Sequence, residues 1–256
     1  MPEIPNTPSD ERGMRLFGLI GYPLSHSFSK EYFTEKFEQE EMTECRYDLF
    51  PLKTIDELLL LLRNKPQLEG LNVTIPFKKK VLSFLDTKHI PYGLDACNCI
   101  NIAAGKLVGY NTDITGFEMS LKPLLKSYHK KALVLGNGGA AAAVIFVLNK
   151  LGIIFNVVSR KLHEGSTLTY NQIDKQVVEE STLIINTTPL GMYPDTDTCP
   201  AIPYQHITER HLLYDLVYNP ARTLFLSKGE GRGATIKNGE EMLILQAEES
   251  WRIWNS

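Results

Sequence analysis

The stretch Lys131–Arg160, KALVLGNGGAAAAVIFVLNKLGIIFNVVSR, constrains this chain more than any other. Ala132–Leu135 is an apolar run of strand length, and Ala140–Leu151 has helical length and strong helix formers. Between them stands Gly136-Asn137-Gly138-Gly139. Gly152 closes the helix, and Ile153–Val158 is a second apolar, β-branched run. Strand, glycine turn, helix and strand form a βαβ unit, the nucleotide-binding half of a doubly wound parallel sheet. Chemistry accounts for the glycines: one turns the chain sharply, and another lets backbone N–H groups approach a pyrophosphate. The positive end of the helix dipole then faces the anion. Gly136, Gly138 and Gly139 supply the turn and the approach, and Ala140–Ala143 lets helix and strand pack closely. A plain βα turn with no ligand is the competing reading; the placement between strand and helix favours the nucleotide.

The end of the second strand sharpens this. Units that bind NAD place Asp or Glu there to hold the ribose 2′-hydroxyl. This chain has Ser159-Arg160-Lys161. A carboxylate would repel a 2′-phosphate, whereas a guanidinium can grip one with two hydrogen bonds. NADP(H) is therefore expected over NAD(H), the alternative being that Arg160 and Lys161 only solvate a loop.

A length of 256 residues suits one large or two modest domains, and 43% apolar residues are enough for real cores. The formal charge of −3 leaves no basic footprint, so nucleic acid is not an expected partner. No apolar run reaches the roughly 18 residues of a membrane span. Met1–Gly13 is polar and reads as a mobile leader rather than a signal peptide. Four cysteines are too few for a disulfide scaffold, and the one-residue spacing of Cys97 and Cys99 does not fit zinc. A cytoplasmic protein without a metal is expected.

In chain order, Arg15–Gly21 reads as a strand. Ser25-His-Ser27-Phe-Ser29 precedes a helix over roughly Lys30–Glu40. Any one of these serines alone is best read as a cap. Together they offer small donors beside a helix N-terminus, a seat for a carboxylate; His26 is incidental. Cys45–Phe50 reads as a strand and Thr54–Arg63 as a helix capped by Thr54. Then comes Gly70-Leu-Asn72-Val-Thr74-Ile-Pro76-Phe-Lys78-Lys-Lys80. Leu71–Ile75 is expected as a strand, and Pro76 as the start of a helix reaching Leu85. Lys78 then falls in a first helical turn beside Asn72 and Thr74, where the dipole disfavours a cation, as suits an amine that shuttles protons. Lys79 and Lys80 are solvated. Asp95–Ile102 and Lys106–Gly109 look like a hairpin leading to Asn111-Thr-Asp113. Asp113 is either the N-cap of a helix starting near Ile114–Gly116 or the partner of Lys78, and position alone does not choose.

Beyond the βαβ unit, Tyr170–Glu179 is a polar connection and Thr182–Asn186 a strand followed by Thr187-Thr-Pro-Leu-Gly-Met192. Leu212–Tyr218 is a further strand, Gly229–Gly233 a turn, and Thr235–Ile236 a last short strand. Gly239 leads into a helix over Glu240–Trp254. On it, Gln246 shares a face with Leu243, Ser250, Ile253 and Trp254 and needs a partner, a ligand hydroxyl or a backbone group.

Taken together, Ser27-Phe-Ser29, Gly70-x-Asn-Val-Thr-x-Pro-Phe-Lys78, Asn98, Asn111-Thr-Asp113 and Gly136-x-Gly-Gly139 resemble the shikimate dehydrogenase family. Asn186-x-Thr, Tyr214-Asp-x-x-Tyr218 and Gly239-x-x-Met-Leu-x-x-Gln246 extend the resemblance over about Met14–Trp254. It implies two α/β domains. Residues 1–113 with 239–256 would bind substrate on a mixed sheet, and 114–238 would form a Rossmann-like NADP domain with a parallel sheet. The implied reaction is NADPH-dependent reduction of 3-dehydroshikimate to shikimate in aromatic amino-acid biosynthesis. Lys78 would be the proton donor and Asp113 its partner. Ser27, Ser29 and Tyr218 would hold the substrate carboxylate, with Asn72, Thr74, Asn98 and Gln246 on carboxylate or ring hydroxyls. Gly136, Asn137, Gly138, Gly139, Ala140, Ser159 and Arg160 would take the cofactor phosphates. Thr187, Met192 and Gly239 would lie toward its ribose and nicotinamide.

The chain departs from the family pattern at Lys30, at Cys97 and Cys99 beside Asn98, and at Ser159-Arg160-Lys161. Two other readings compete: a quinate/shikimate dehydrogenase using NAD, and a catalytically idle ligand-binding relative. Arg160 argues against the first, and the presence of both Lys78 and Asp113 against the second. Monomer and homodimer are both compatible with the sequence.

Overall fold

A computed structural model describes residues 13–24, 27–162 and 165–256. Most of the leader expected over residues 1–13, along with Ser25 and His26, lies outside the described residues. By its packing the chain divides into two units. One comprises the residues up to Pro91 with Cys97–Tyr110 and Ser250–Ser256; the other comprises Tyr92–Ala96 with Asn111–Glu249.

In the first unit, β1 (Arg15–Gly21), α1 (Phe28–Gln39), β2 (Cys45–Pro51), α2 (Glu57–Asn64) and β3 (Leu68–Val73) are followed by β4 (Cys99–Ala103) and β5 (Lys106–Tyr110). The sheet order is β2-β1-β3-β4-β5. The first three strands are parallel and the last two antiparallel, a mixed sheet as expected. β4 and β5 turn through two residues, Ala104 and Gly105, both at positive φ, the tight hairpin connection that matches strand twist. One face buries Leu16, Ile20, Leu71, Val73, Phe77, Val81 and Ile100. On the other, Phe17 stacks on Trp254 with ring centroids 4.9 Å apart. The indole Nε1 donates to the Ile100 carbonyl at 3.0 Å. A Cβ at Gly70 would stand 2.3 Å from that same Nε1, so β3 tolerates only glycine beneath the indole.

In the second unit, α3 (Thr112–Leu121), β6 (Lys131–Leu135), α4 (Gly139–Lys150), β7 (Ile154–Ser159), β8 (Leu168–Thr169) and α5 (Lys175–Glu180) come first. β9 (Leu183–Asn186), β10 (Leu212–Asp215), α6 (Leu224–Glu230) and β11 (Thr235–Lys237) complete its sheet, before α7 (Glu240–Trp254). All its strands are parallel, in the order β11-β10-β9-β6-β7-β8. This is the doubly wound order, winding one way from β6 to β8 and the other way from β9 to β11. Ala132–Leu135 and Leu183–Asn186 are buried, which is why these strands read as unbroken apolar runs.

Several expectations need correction. The helix expected over Pro76–Leu85 is only a 3₁₀ segment, Lys80–Phe84, and Lys78 lies in the turn before it. The dipole argument for Lys78 thus loses its helix. α2 starts at Glu57 rather than Thr54, with no side-chain cap. β3 ends at Val73 and β10 at Asp215, earlier than expected. α6 went unforeseen because Gly229, Gly231 and Gly233 read as a turn; Thr223 caps it by accepting from Leu226 N at 3.3 Å. α7 matches its expected span, yet Glu240–Glu249 groups with the second unit. A Cβ at Gly116 would meet the Met242 carbonyl at 2.5 Å, so α3 and α7 pack backbone to backbone there.

Gly70→Ala is expected to push Trp254 off β3 and cost about 1–3 kcal/mol. Denaturation followed by tryptophan fluorescence reads this directly, since both tryptophans, Trp251 and Trp254, belong to the first unit. Wild-type stability in the variant would contradict the packing described.

Candidate active site

The second unit carries a cavity of about 330 Å³ at the carboxyl ends of β6, β7 and β9. Gly136, Asn137, Gly138, Ser159, Arg160, Tyr170 and Thr187–Leu190 line it. Register explains the gathering: Leu135 pairs with Val158 on one side and with Asn186 on the other. Gly136 N donates to the Val158 carbonyl at 2.8 Å, and Thr187 N to the Leu135 carbonyl at 2.9 Å. Gly136 sits at φ 106°, and a Cβ there would come within 2.8 Å of both Thr187 Oγ1 and Thr188 Cγ2. Fold alone demands this glycine. Gly138 and Gly139 differ: a Cβ on either would meet nothing within 4 Å. Gly138, the N-cap of α4, has φ −75°. Neither strain nor packing explains it, whereas a phosphate approaching the helix N-terminus does. Beside this loop, Asn137, Ser159, Arg160 and Lys161 line a second cavity of about 440 Å³. Ser159 is buried and donates through Oγ to the Lys161 carbonyl at 2.5 Å, fixing the loop that carries the exposed Arg160. The residues present fit a dinucleotide with an extra phosphate.

One element of this site was missed in the sequence. Asp215, fully buried at the end of β10, accepts from Asn186 Nδ2 at 2.9 Å, Val217 N at 3.0 Å and Thr223 Oγ1 at 2.6 Å. Asn186 Oδ1 in turn accepts from Thr188 N at 3.0 Å and Thr188 Oγ1 at 2.6 Å, while Nδ2 also reaches the Leu190 carbonyl at 3.3 Å. This pair holds the 187–190 loop over the cavity. A lone acidic residue in the apolar run LLYDLVY was the available signal.

Other candidates lie elsewhere in the second unit. Asp113 is buried in the first turn of α3. Asn111, not Asp113, is the N-cap, its side chain accepting from Ile114 N at 3.2 Å. Gln246 donates to the Leu243 carbonyl at 2.9 Å and accepts from Thr112 Oγ1 at 3.4 Å. Gly239 is buried, and a Cβ there would fall 2.2 Å from the Leu216 carbonyl. It and Met192, which is 45% exposed, lie outside the cavity lining, as does the half-buried Tyr218 beyond β10.

In the first unit, Ser27 caps α1, accepting from Lys30 N at 3.3 Å, and Ser29 lies in the same turn. Val73 N donates to the Asn98 carbonyl at 2.9 Å, which also accepts from Asn72 Nδ2 at 3.2 Å. Cys97 N donates to the Lys78 carbonyl at 2.8 Å, and the neighbouring Phe77 ring is buried in the core. Lys78 is thereby fixed to the strip that carries Asn98. Thr74 N is held by the Ile20 carbonyl at 2.9 Å. Asn72, Thr74 and Lys78 are thus carried by backbone at and just beyond the end of β3, Asn98 just before β4, and Ser29 in the first turn of α1. Among the described residues no cluster of His, Cys, Asp and Glu is arranged to hold a metal, and no helix is long and apolar enough to cross a membrane.

Fold and glycine loop together define a dinucleotide-binding protein of the Rossmann type, joined to a second α/β unit with a mixed sheet. Residues 19–100 match the family model of the shikimate dehydrogenase substrate binding domain. A shikimate dehydrogenase (NADP(+)) of Clostridium beijerinckii is 37% identical over 255 residues, covering 94% of this chain and 92% of the relative. That of Methanococcus maripaludis is 34% identical over 256 residues, covering 94% and 91%. The crystal structure of shikimate 5-dehydrogenase from Thermus thermophilus, in complex with NADP(H) and shikimate, matches with a TM-score of 0.81. It is 28% identical and covers 94% of this chain and 93% of that one. The chain belongs to the shikimate dehydrogenase family.

Burial pushes the Asp215 carboxyl up to about 6, against the hydrogen bonds from Thr223, Val217 and Asn186. The folded chain therefore takes up a proton that the unfolded chain does not. This contribution to stability is complete below about pH 4 and is lost as pH rises through 6. Burial lowers His129 instead, which loses stability as pH falls, so a variant must be compared with wild type. Asp215→Asn is expected to gain on wild type by roughly 1 kcal/mol between pH 5 and pH 7 in urea denaturation. Parallel stability profiles would contradict it.

Proposed function

We propose that this protein reversibly reduces 3-dehydroshikimate to shikimate with NADPH, a step of chorismate and aromatic amino-acid biosynthesis, with Lys78 moving the proton. The observation that carries the reading is the open face of Gly138 and Gly139 beside a loop bearing Arg160 where NAD-binding chains place an acid. Gly136, Asn137, Gly138, Gly139 and Ala140 present the start of α4 to the pyrophosphate. Ser159 and Arg160 receive the 2′-phosphate, and Thr187, Met192 and Gly239 flank the ribose and nicotinamide. NADPH, when bound, supplies the hydride that reduces the ketone carbon.

The remaining work falls to the chain. Ser27, Ser29 and Tyr218 hold the carboxylate, while Thr74, Asn72, Asn98 and Gln246 hold the carboxylate or ring hydroxyls. Holding a substrate at several points turns an encounter into a step between fixed partners. As the ketone is reduced, negative charge grows on its oxygen. Lys78 gives that oxygen a proton, and in the oxidative direction takes it back. Asp113 orients the reacting hydroxyl and balances the ammonium charge. Residues 1–113 with 239–256 serve the substrate, and 114–238 serve NADP. The protein works in the cytoplasm as a monomer or homodimer.

Lys78→Ala is expected to lower kcat by about 10²- to 10⁴-fold with little change in KM for shikimate. Near-native turnover in that variant would remove Lys78 from the chemistry.

A further inference from the structure

The polar core of the first unit holds a residue that no reading of the sequence singled out. Tyr47 is 1% exposed, and its ring stacks on Phe33 with centroids 4.7 Å apart and planes 13° apart. Its hydroxyl donates to Asn72 Oδ1 at 2.8 Å. Asn72 Nδ2 gives one hydrogen to the Asn98 carbonyl at 3.2 Å and the other to Ser250 Oγ at 3.0 Å. A carbonyl only accepts, so the amide nitrogen must face Asn98 and the amide oxygen must face Tyr47. Both amide hydrogens are then committed within the protein. What Asn72 can offer a ligand is a lone pair on Oδ1, which accepts from a hydroxyl and repels a carboxylate.

We propose that Tyr47 is a positioning residue for substrate: by donating to the Asn72 amide oxygen, its hydroxyl holds that oxygen toward a ring hydroxyl. This deepens, and rests on, the reading of Asn72 as a substrate ligand. The bond ties β2 through Tyr47 to β3 through Asn72. The amide extends it to Asn98, just before β4, and to Ser250 on α7. Without the phenol oxygen, the amide loses the donor that fixes its oxygen, while the stacked ring still fills its place.

Tyr47→Phe is therefore the test, read by steady-state kinetics of shikimate oxidation with NADP⁺. The expected result is a rise in KM for shikimate of roughly three- to tenfold. Over the same series kcat should stay within about twofold of wild type, and KM for NADP⁺ should be unmoved. A folded Tyr47→Phe with unchanged KM for shikimate overturns the proposal, and so does an equal rise in both Michaelis constants. Should Tyr47→Phe fail to fold, Ser250→Ala, which loosens the same amide from its other side, is judged by the same criteria. Absence of shikimate turnover in the wild type would instead sink the functional reading itself.

Discussion

Between β6 and β9 the winding of the second sheet reverses, and the site follows from that reversal. Chain leaving β6 must turn away from chain leaving β9, so a crevice opens at their carboxyl ends. Gly136 makes the first departure by taking a φ of 106°, which any side chain would strain and the Thr187–Thr188 backbone and side chains would block. The Asn186–Asp215 pair controls the second. A buried carboxylate is costly unless hydrogen-bonded, and Asp215 meets that cost with three donors drawn from β9, from the chain after β10 and from the start of α6. One side of the crevice is thus set by backbone sterics and the other by a buried polar network.

The first unit solves a similar problem with neutral groups. Its sheet must expose polar side chains at the strand ends while its faces stay apolar. Asn72, Asn98 and Tyr47 are almost entirely buried, and each is anchored by a partner on a different element. Such networks specify geometry more than they add stability, because every member is satisfied only in one arrangement. Among the described residues, Ser181 Oγ is the buried side-chain polar atom without a hydrogen bond, so polar satisfaction is close to complete.

Strand and turn chemistry was legible in the sequence where one local rule decided the outcome. The βαβ stretch, the Ala104-Gly105 hairpin and α7 follow from apolar period, glycine and helix length. The readings that failed did so where two rules competed. Pro76 suits a helix start, yet tertiary bonds such as Cys97 N to the Lys78 carbonyl hold that segment in turns and a 3₁₀ segment. Asn111 and Asp113 are both good caps, and the backbone at Asn111 is the one that is extended. Three glycines hid α6, whose Gly229 is needed because a Cβ would fall 2.3 Å from Leu213 Cδ2. Tyr47 was invisible as a site residue and Asp215 showed only as a lone acid in an apolar run, since their roles depend on partners distant in sequence.

The most direct test of the account is a set of initial rates with shikimate and with quinate, each paired with NADP⁺ and with NAD⁺. The account predicts the highest kcat/KM for shikimate with NADP⁺, roughly tenfold or more above the value with NAD⁺, because a guanidinium at 160 recognises a 2′-phosphate. Equal values for the two nucleotides, or turnover of quinate without turnover of shikimate, would contradict it.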